Sequence, residues 1–234
     1  MAGKIPLADI VSGNRDYCRV ALFDLDGTLV DSAPDICSSI NQVMAHYCLP
    51  FVEEEYVRSW VGLGTKTLLK RVFNRYVSIH HRIVSQDDFL NAYNLFLSFY
   101  RETNGKYASL YPGARSILAT LTDQNFRVGV VTNRPVEFTG SIISRFRLDD
   151  LIEVVVCADQ FGSYKPESGM LVYALSELGG EPKSSMMVGD SFSDVMAAKN
   201  AGMKSVYVRY GYRSNVAMCE VYADRSIDSL LELV

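Results

Sequence analysis

The stretch Arg19-Val20-Ala21-Leu22-Phe23-Asp24-Leu25-Asp26-Gly27-Thr28-Leu29 decides the reading of this chain. Val20 to Phe23 are apolar without any polar alternation, the pattern of a strand covered on both faces rather than one face. Asp24 ends the run, and Asp26-Gly27-Thr28 follows at once, so an acidic turn is expected where the strand stops. Comparable runs occur at residues 127–131, 153–157, 186–188 and 205–208. Helical patterns separate the later ones. Residues 115–121 carry an apolar face, Leu171, Ala174, Leu175 and Leu178 follow i, i+3, i+4, i+7 spacing, and residues 195–201 end at Gly202. Strands alternating with helices predict an α/β fold with a parallel sheet covered on both sides.

One region breaks the alternation. About a hundred residues separate the first two strand patterns, with little strand signal of their own. Ser32-Ala33-Pro34-Asp35 reads as a helix start, with Ser32 as the cap and proline in the first turn. That helix is expected to run to about Tyr47, with others over 53–60, 66–76 and 87–104. The expectation is a Rossmann-like doubly wound core formed by residues 1–32 and 111–234. A helical cap domain, residues 33–110, is inserted into it.

Composition narrows the function classes. The chain has 234 residues, 48% hydrophobic and 21% charged, which is ordinary globular usage and rules out a disordered or fibrous chain. With 23 Lys+Arg against 27 Asp+Glu, the formal charge is −4, which argues against nucleic-acid or anionic-membrane partners. No apolar run reaches ~18 residues and residues 1–15 lack a secretory core, so no membrane span and a cytoplasmic location are expected. Cys18, Cys37, Cys48, Cys157 and Cys219 are odd in number and contain no Cys-x-x-Cys pair, so neither a disulfide framework nor a zinc site is suggested. His80-His81 reads as polar surface.

The chemistry lies where polar residues interrupt the apolar runs. Asp24 and Asp26 follow the first, Thr132 and Asn133 the second, and Gly189-Asp190 the fourth, with Asp194 four residues on. All fall at the carboxyl ends of parallel strands, the edge at which open α/β sheets bind ligands. Several carboxylates converging there repel one another unless a hard cation sits among them, and Mg²⁺ prefers oxygen ligands. Lys165, in Ser163-Tyr164-Lys165-Pro166, adds a fixed positive charge. Such a site accepts a phosphate if the metal and the lysine face it.

Phe23-Asp24-Leu25-Asp26-Gly27-Thr28-Leu29 resembles the first motif of the haloacid dehalogenase superfamily. Thr132 matches its second motif, Lys165-Pro166 its third, and Gly189-Asp190-Ser191-Phe192-Ser193-Asp194 its fourth, in the family's order and spacing. The inserted helices resemble that family's cap. Val57 to Gly64, Tyr111-Pro112-Gly113 and Arg209-Tyr210-Gly211-Tyr212 are similar to segments of phosphoglycolate phosphatases. Two positions depart from the family pattern: Tyr164 stands where a second lysine is common, and Arg134 where lysine is common.

The resemblance implies a Mg²⁺-dependent phosphatase acting on a small organic phosphomonoester, 2-phosphoglycolate first among them. Asp24 would be the nucleophile that forms an aspartyl-phosphate, and Asp26 the acid and then the base. The Asp24 carboxylate, the Asp26 backbone carbonyl and Asp190 would hold the metal, with Asp194 acting through water or orienting the shell. Thr132, Asn133 and Lys165 would bind the phosphate. Arg58, Gly62, Gly64 and Lys66 are candidates for contact with the organic part of the substrate. The alternatives are a phosphatase of a sugar phosphate or nucleotide, a phosphomutase, and a phosphoryl-switch or binding protein. The sequence sets no oligomeric state.

Overall fold

The computed structural model describes residues 18–62, 64–79, 85–212 and 216–233. Leu63 and His80-His81 lie outside them. All five apolar runs form strands. β1 is Cys18–Phe23, β4 is Phe126–Thr132, β5 is Val154–Cys157, β6 is Gly180–Gly189 and β7 is Lys204–Val208. A three-residue strand, β8 (Arg225–Ile227), completes one sheet in the order β5-β4-β1-β6-β7-β8, with every pairing parallel. The chain builds outward from β1 through β4 to β5, then returns to the other side of β1 for β6, β7 and β8. The carboxyl end of β1 therefore lies at the switch in winding direction, where a crevice opens between diverging connections.

Side-chain parity explains the uninterrupted apolar runs. Ala21 and Phe23 point to one face, with Val128, Val130, Met186 and Val188, and pack against α5 (Ala114–Asp123) and α6 (Val136–Arg145). Val20 and Leu22 point to the other, with Val131 and Met187, against α8 (Gly169–Glu177) and α9 (Phe192–Ala201). A strand buried on both sides therefore reads as a nearly continuous apolar run, and its charged residues come where it leaves the sheet.

Between β1 and β4 lies the helical insertion. Its elements are α1 (Ala33–His46), the short α2 (Glu54–Arg58), α3 (Thr65–Ile79) and α4 (Gln86–Thr103). Ile36, Ile40, Leu69, Val72, Phe96 and Tyr100 form its interior, together with Phe138 and Tyr212 from the sheet side. The chain enters through β2 (Val30–Asp31) and leaves through β3 (Ser109–Leu110), and these two strands pair antiparallel. The Asp35 carboxylate, in the first turn of α1, accepts from the N–H groups of Gly105 (2.7 Å) and Tyr107 (2.6 Å), tying the entry helix to the exit segment. Among the described residues, no helix is long and apolar enough to cross a membrane.

Two local expectations change. The helix expected over 53–60 spans only Glu54–Arg58. Ser32 precedes α1, but its backbone is near the helical region and its hydroxyl caps nothing; it donates to Asp26 Oδ1 at 2.6 Å. The first turn is capped instead by the Tyr212 hydroxyl, which accepts from the N–H of Ser32 (2.8 Å) and of Ala33 (3.1 Å). A phenol brought in from β7's far end has displaced the nearest serine, which frees that serine for the site.

Candidate active site

Register places the candidate residues on one edge. Phe23 pairs with Val130 on one side and Val188 on the other, so Asp24 stands level with Val131 and Gly189. After Asp24 the chain folds tightly: Leu29 and Val30 both donate to the Leu25 carbonyl, at 3.0 and 2.9 Å, and Gly27 donates to Val30. This turn brings Asp26 back toward the crevice. Gly27 has φ +88°, and a Cβ there would lie 2.3 Å from Asp190 Oδ2, so the turn needs glycine both for its backbone and for the approach of Asp190.

Asp24, Asp190 and Asp194 converge, each offering a carboxylate oxygen within 4.8 Å of the others, and all three are buried. Lys165 Nζ lies 2.8 Å from Asp24 Oδ1 and 2.6 Å from Asp194 Oδ1, and donates to the Val131 carbonyl at 2.7 Å. The Leu25 N–H also donates to Asp24 Oδ1, at 2.7 Å. Asp190 is held on both oxygens, by the Thr28 hydroxyl at 3.2 Å and the Tyr212 N–H at 2.8 Å. Asp194, in the first turn of α9, closes a capping box with Ser191, its Oδ2 accepting from the N–H (3.0 Å) and hydroxyl (2.6 Å) of Ser191. That leaves its Oδ1 for Lys165.

The electrostatics are unbalanced. Burial pushes the Asp24 carboxyl up to about 7, with the neighbouring Asp194 and Asp26 adding to the rise and Lys165 opposing it. Asp190 is pushed well above the ordinary carboxylate range by burial and by the charges of Asp194 and Asp24. One lysine does not offset three buried carboxylates. An oxygen-only donor set of this charge and spacing fits a hard divalent cation.

The remaining candidates surround this cluster. Thr132 is buried at the end of β4, its Oγ1 accepting from the Arg134 N–H at 3.1 Å. Asn133 links three segments: its side-chain oxygen accepts from the Lys165 N–H at 2.9 Å, and its Nδ2 donates to the carbonyls of Lys165 (3.2 Å) and Gly62 (3.1 Å). The Gly62 contact closes the insertion over the sheet edge. A small cavity has Asp24, Asp26 and Thr132 on one side and Gly62, Gly64 and Thr65 on the other. Lys66 opens onto the wider adjoining cleft, its Nζ 5.8 Å from the Tyr93 ring centroid. Arg58 is engaged elsewhere. Its guanidinium makes a bidentate pair with Asp31 on β2, at 2.9 and 2.8 Å, and a second pair with Glu54.

Sequence reasoning passed over two residues that the structure brings into the site. Ser32 was read as a cap, and Arg134 only as a departure from a pattern. Arg134 is buried and its Nη1 lies 2.5 Å from Asp26 Oδ1. Its place two residues after Thr132, at a strand end, was the available signal.

A six-stranded parallel core, a helical insertion after the first strand and a strand-edge cluster of acids beside a lysine define a hydrolase class. The chain belongs to the haloacid dehalogenase-like hydrolase family, which it matches over residues 21–208. It is 37% identical to a phosphoglycolate phosphatase of Nitrosococcus oceani over 215 residues, 92% of this chain and 94% of the relative. A phosphoglycolate phosphatase of Haemophilus influenzae is 31% identical over 91% of this chain and 95% of its own length. Among solved structures, a predicted phosphoglycolate phosphatase from Haemophilus somnus superposes with a TM-score of 0.88 at 30% identity, covering 94% of this chain and 98% of that one.

Proposed function

We propose that the chain is a Mg²⁺-dependent phosphatase of a small phosphomonoester, with 2-phosphoglycolate as its substrate. The observation that carries the reading is the strand-edge arrangement, in which Asp24, Asp190 and Asp194 are buried together and Lys165 pairs with both Asp24 and Asp194. The names of its relatives support the substrate. The cap is residues 33–110 and the core residues 1–32 and 111–234, of which 1–17, 213–215 and 234 lie outside the described residues, and the setting is cytoplasmic.

In the first half-reaction a carboxylate oxygen of Asp24 forms a bond to phosphorus as the bond to the leaving oxygen breaks, and Asp26 gives its proton to that oxygen. In the second, Asp26 takes a proton from water as the water oxygen bonds phosphorus and the Asp24–phosphorus bond breaks. Thr132 and the backbone N–H of Asn133 hold phosphate oxygens, since both Asn133 side-chain N–H groups already serve the Lys165 and Gly62 carbonyls, and Lys165 offsets the charge gathered between phosphate and Asp24. Asp24, the Asp26 carbonyl and Asp190 would hold the metal, with Asp194 and Thr28 setting their orientation. When bound, the ion supplies positive charge to the phosphate oxygens. Phosphate release from a panel of two- to six-carbon phosphates, with Mg²⁺ or with EDTA, tests the reading: preference for another phosphate would replace the substrate, and EDTA-resistant turnover would remove the metal.

Metal binding has a readout apart from activity. A ligand that binds only the folded state adds about 2.7 kcal/mol at a hundredfold excess over its Kd. For a chain of this size that amounts to roughly 5–10 °C in Tm. Mg²⁺ is expected to raise Tm by about this amount, and Asp190→Asn to remove most of the rise. A rise that persists undiminished in the variant would place the ion elsewhere.

Specificity is assigned to the roof of the cavity. Gly64 has φ +84°, a conformation that L-residues rarely adopt, and it faces Tyr164 across the cleft. The backbone N–H groups around Gly62 and Gly64 would meet the carboxylate of phosphoglycolate, so Gly64→Val should lower kcat/KM for phosphoglycolate about 10- to 150-fold more than for 4-nitrophenyl phosphate, the scale of one charge-assisted hydrogen bond. Arg58→Ala, which frees Asp31, should instead lower both alike. Equal losses for Gly64→Val would reassign the loop to cap closure.

A further inference from the structure

Arg134 is the least accounted-for charged group near the site. Its side chain is 1% exposed, a burial that guanidinium tolerates only when its N–H groups are engaged. Nη1 reaches Asp26 Oδ1 at 2.5 Å, Nη2 donates to the side-chain oxygen of Asn104, and Nε donates to the Phe138 carbonyl at 3.3 Å. The guanidinium carbon lies 5.3 Å from the Tyr100 ring centroid. Asn104 is itself fixed, because its Nδ2 donates to the Phe138 carbonyl (3.0 Å) and the Ser141 hydroxyl (2.7 Å), which turns its oxygen toward Arg134.

We propose that Arg134 is a positioning residue that decides which oxygen of Asp26 exchanges the proton with substrate and water. Arg134 and Ser32 both donate to the same oxygen, Oδ1. An oxygen that accepts two hydrogen bonds has no room for a proton of its own between them, and a proton placed there would meet the N–H of Arg134 head-on. Oδ2, which neither of them touches, is the oxygen left to exchange a proton. In the first half-reaction the Oδ2–H bond breaks and the leaving oxygen gains the hydrogen; in the second, Oδ2 takes a hydrogen from water. Arg134 stays protonated throughout and exchanges nothing. Asn104 closes α4, the helix that leads out of the insertion, so the same contact holds Arg134 to the cap end of the molecule. The inference rests on the reading of Asp26 as the proton donor and acceptor.

The test uses the intact protein with Mg²⁺ and a series of phosphomonoesters, from 4-nitrophenyl phosphate to alkyl phosphates with basic leaving groups. A group that donates a proton matters most where the leaving oxygen is most basic, so its loss steepens the dependence of kcat/KM on leaving-group pKa. On kcat/KM, which reports only the first half-reaction, Asp26→Asn should cost alkyl phosphates ~10²–10⁴-fold and 4-nitrophenyl phosphate far less, while kcat should fall for every ester because the base for water is lost. Arg134→Met should steepen the same dependence by at least about tenfold between the two ends of the series. Arg134→Lys should recover part of it, and Asn104→Ala should fall between wild type and Arg134→Met. The two milder variants keep the test decisive if Arg134→Met does not fold. Equal losses on every ester in the Arg134 and Asn104 variants would make Arg134 a packing residue and overturn the proposal. An unchanged slope in Asp26→Asn would remove the reading of Asp26, and the proposal with it.

Discussion

Asp24→Asn is expected to abolish turnover, by roughly 10⁴-fold or more, with no phosphoryl-enzyme recovered after acid quench. The substitution is nearly isosteric, so the Leu25 N–H at 2.7 Å keeps an oxygen to bond and the turn after β1 is preserved. What is lost is the charge and the second equivalent oxygen. An amide does not displace an alkoxide from phosphorus, and no neighbouring carboxylate takes its place: Asp190 is tied down on both oxygens, and Asp194 on one by Ser191 and on the other by Lys165. Folding should not suffer, since a carboxyl pushed up to about 7 by burial is replaced by a neutral group. The quench experiment on wild-type protein should trap phosphate on Asp24, and phosphate found on another residue would sink the covalent route.

Lys165→Met is expected to damage stability and activity together. The ammonium is buried between Asp24 and Asp194 and bonds the Val131 carbonyl, so removing it leaves two carboxylates without their counter-charge. Breaking a buried pair from one side typically costs 3–5 kcal/mol, roughly 6–20 °C in Tm at this chain length. Turnover should fall a further ~10²–10³-fold, the usual scale for one lost electrostatic contact to the transition state. The combination Lys165→Met with Asp24→Asn separates the two effects. It removes one of the stranded charges and should regain part of the Tm while remaining inactive. An unaltered Tm in Lys165→Met would mean that the ion pairs do not form in solution.

The core was legible because β1, β4, β6 and β7 are buried on both faces where they face the core, and such burial writes itself as an apolar run; β5, at the edge, shows the run although Val155 is exposed. β8 was not: Arg225-Ser226-Ile227 is short, lies at the sheet edge and carries a charge. β2 and β3 are two residues each and pair across the whole insertion, which no local pattern reports. Asp35 reads from sequence as a helix-start acid favoured by the dipole. Its carboxylate instead holds N–H groups some seventy residues away. The polar residues at strand ends could be found from the sequence because the edge of a parallel sheet has only a few positions. The partners of those residues could not. Ser32 serves Asp26, and Tyr212 serves both Asp190 and α1, only because the fold folds their distant segments together.

The pairing of Val30 with Leu110 and Asp31 with Ser109 has a consequence for how such a chain changes over generations. Its outgoing and returning strands leave the sheet edge side by side, so the chain between them enters and leaves at one junction, with a few further contacts such as Gly62 to Asn133 and Asn104 to Arg134. Lengthening, trimming or exchanging that span moves neither end of the junction and leaves the register of β1 with β4 and β6 untouched. The floor that handles phosphorus and the roof that meets the remainder of the molecule are thus free to diverge at different rates. A lineage with this architecture acquires new clients by rewriting the roof while keeping the few roof residues, such as Asn104, that hold the floor.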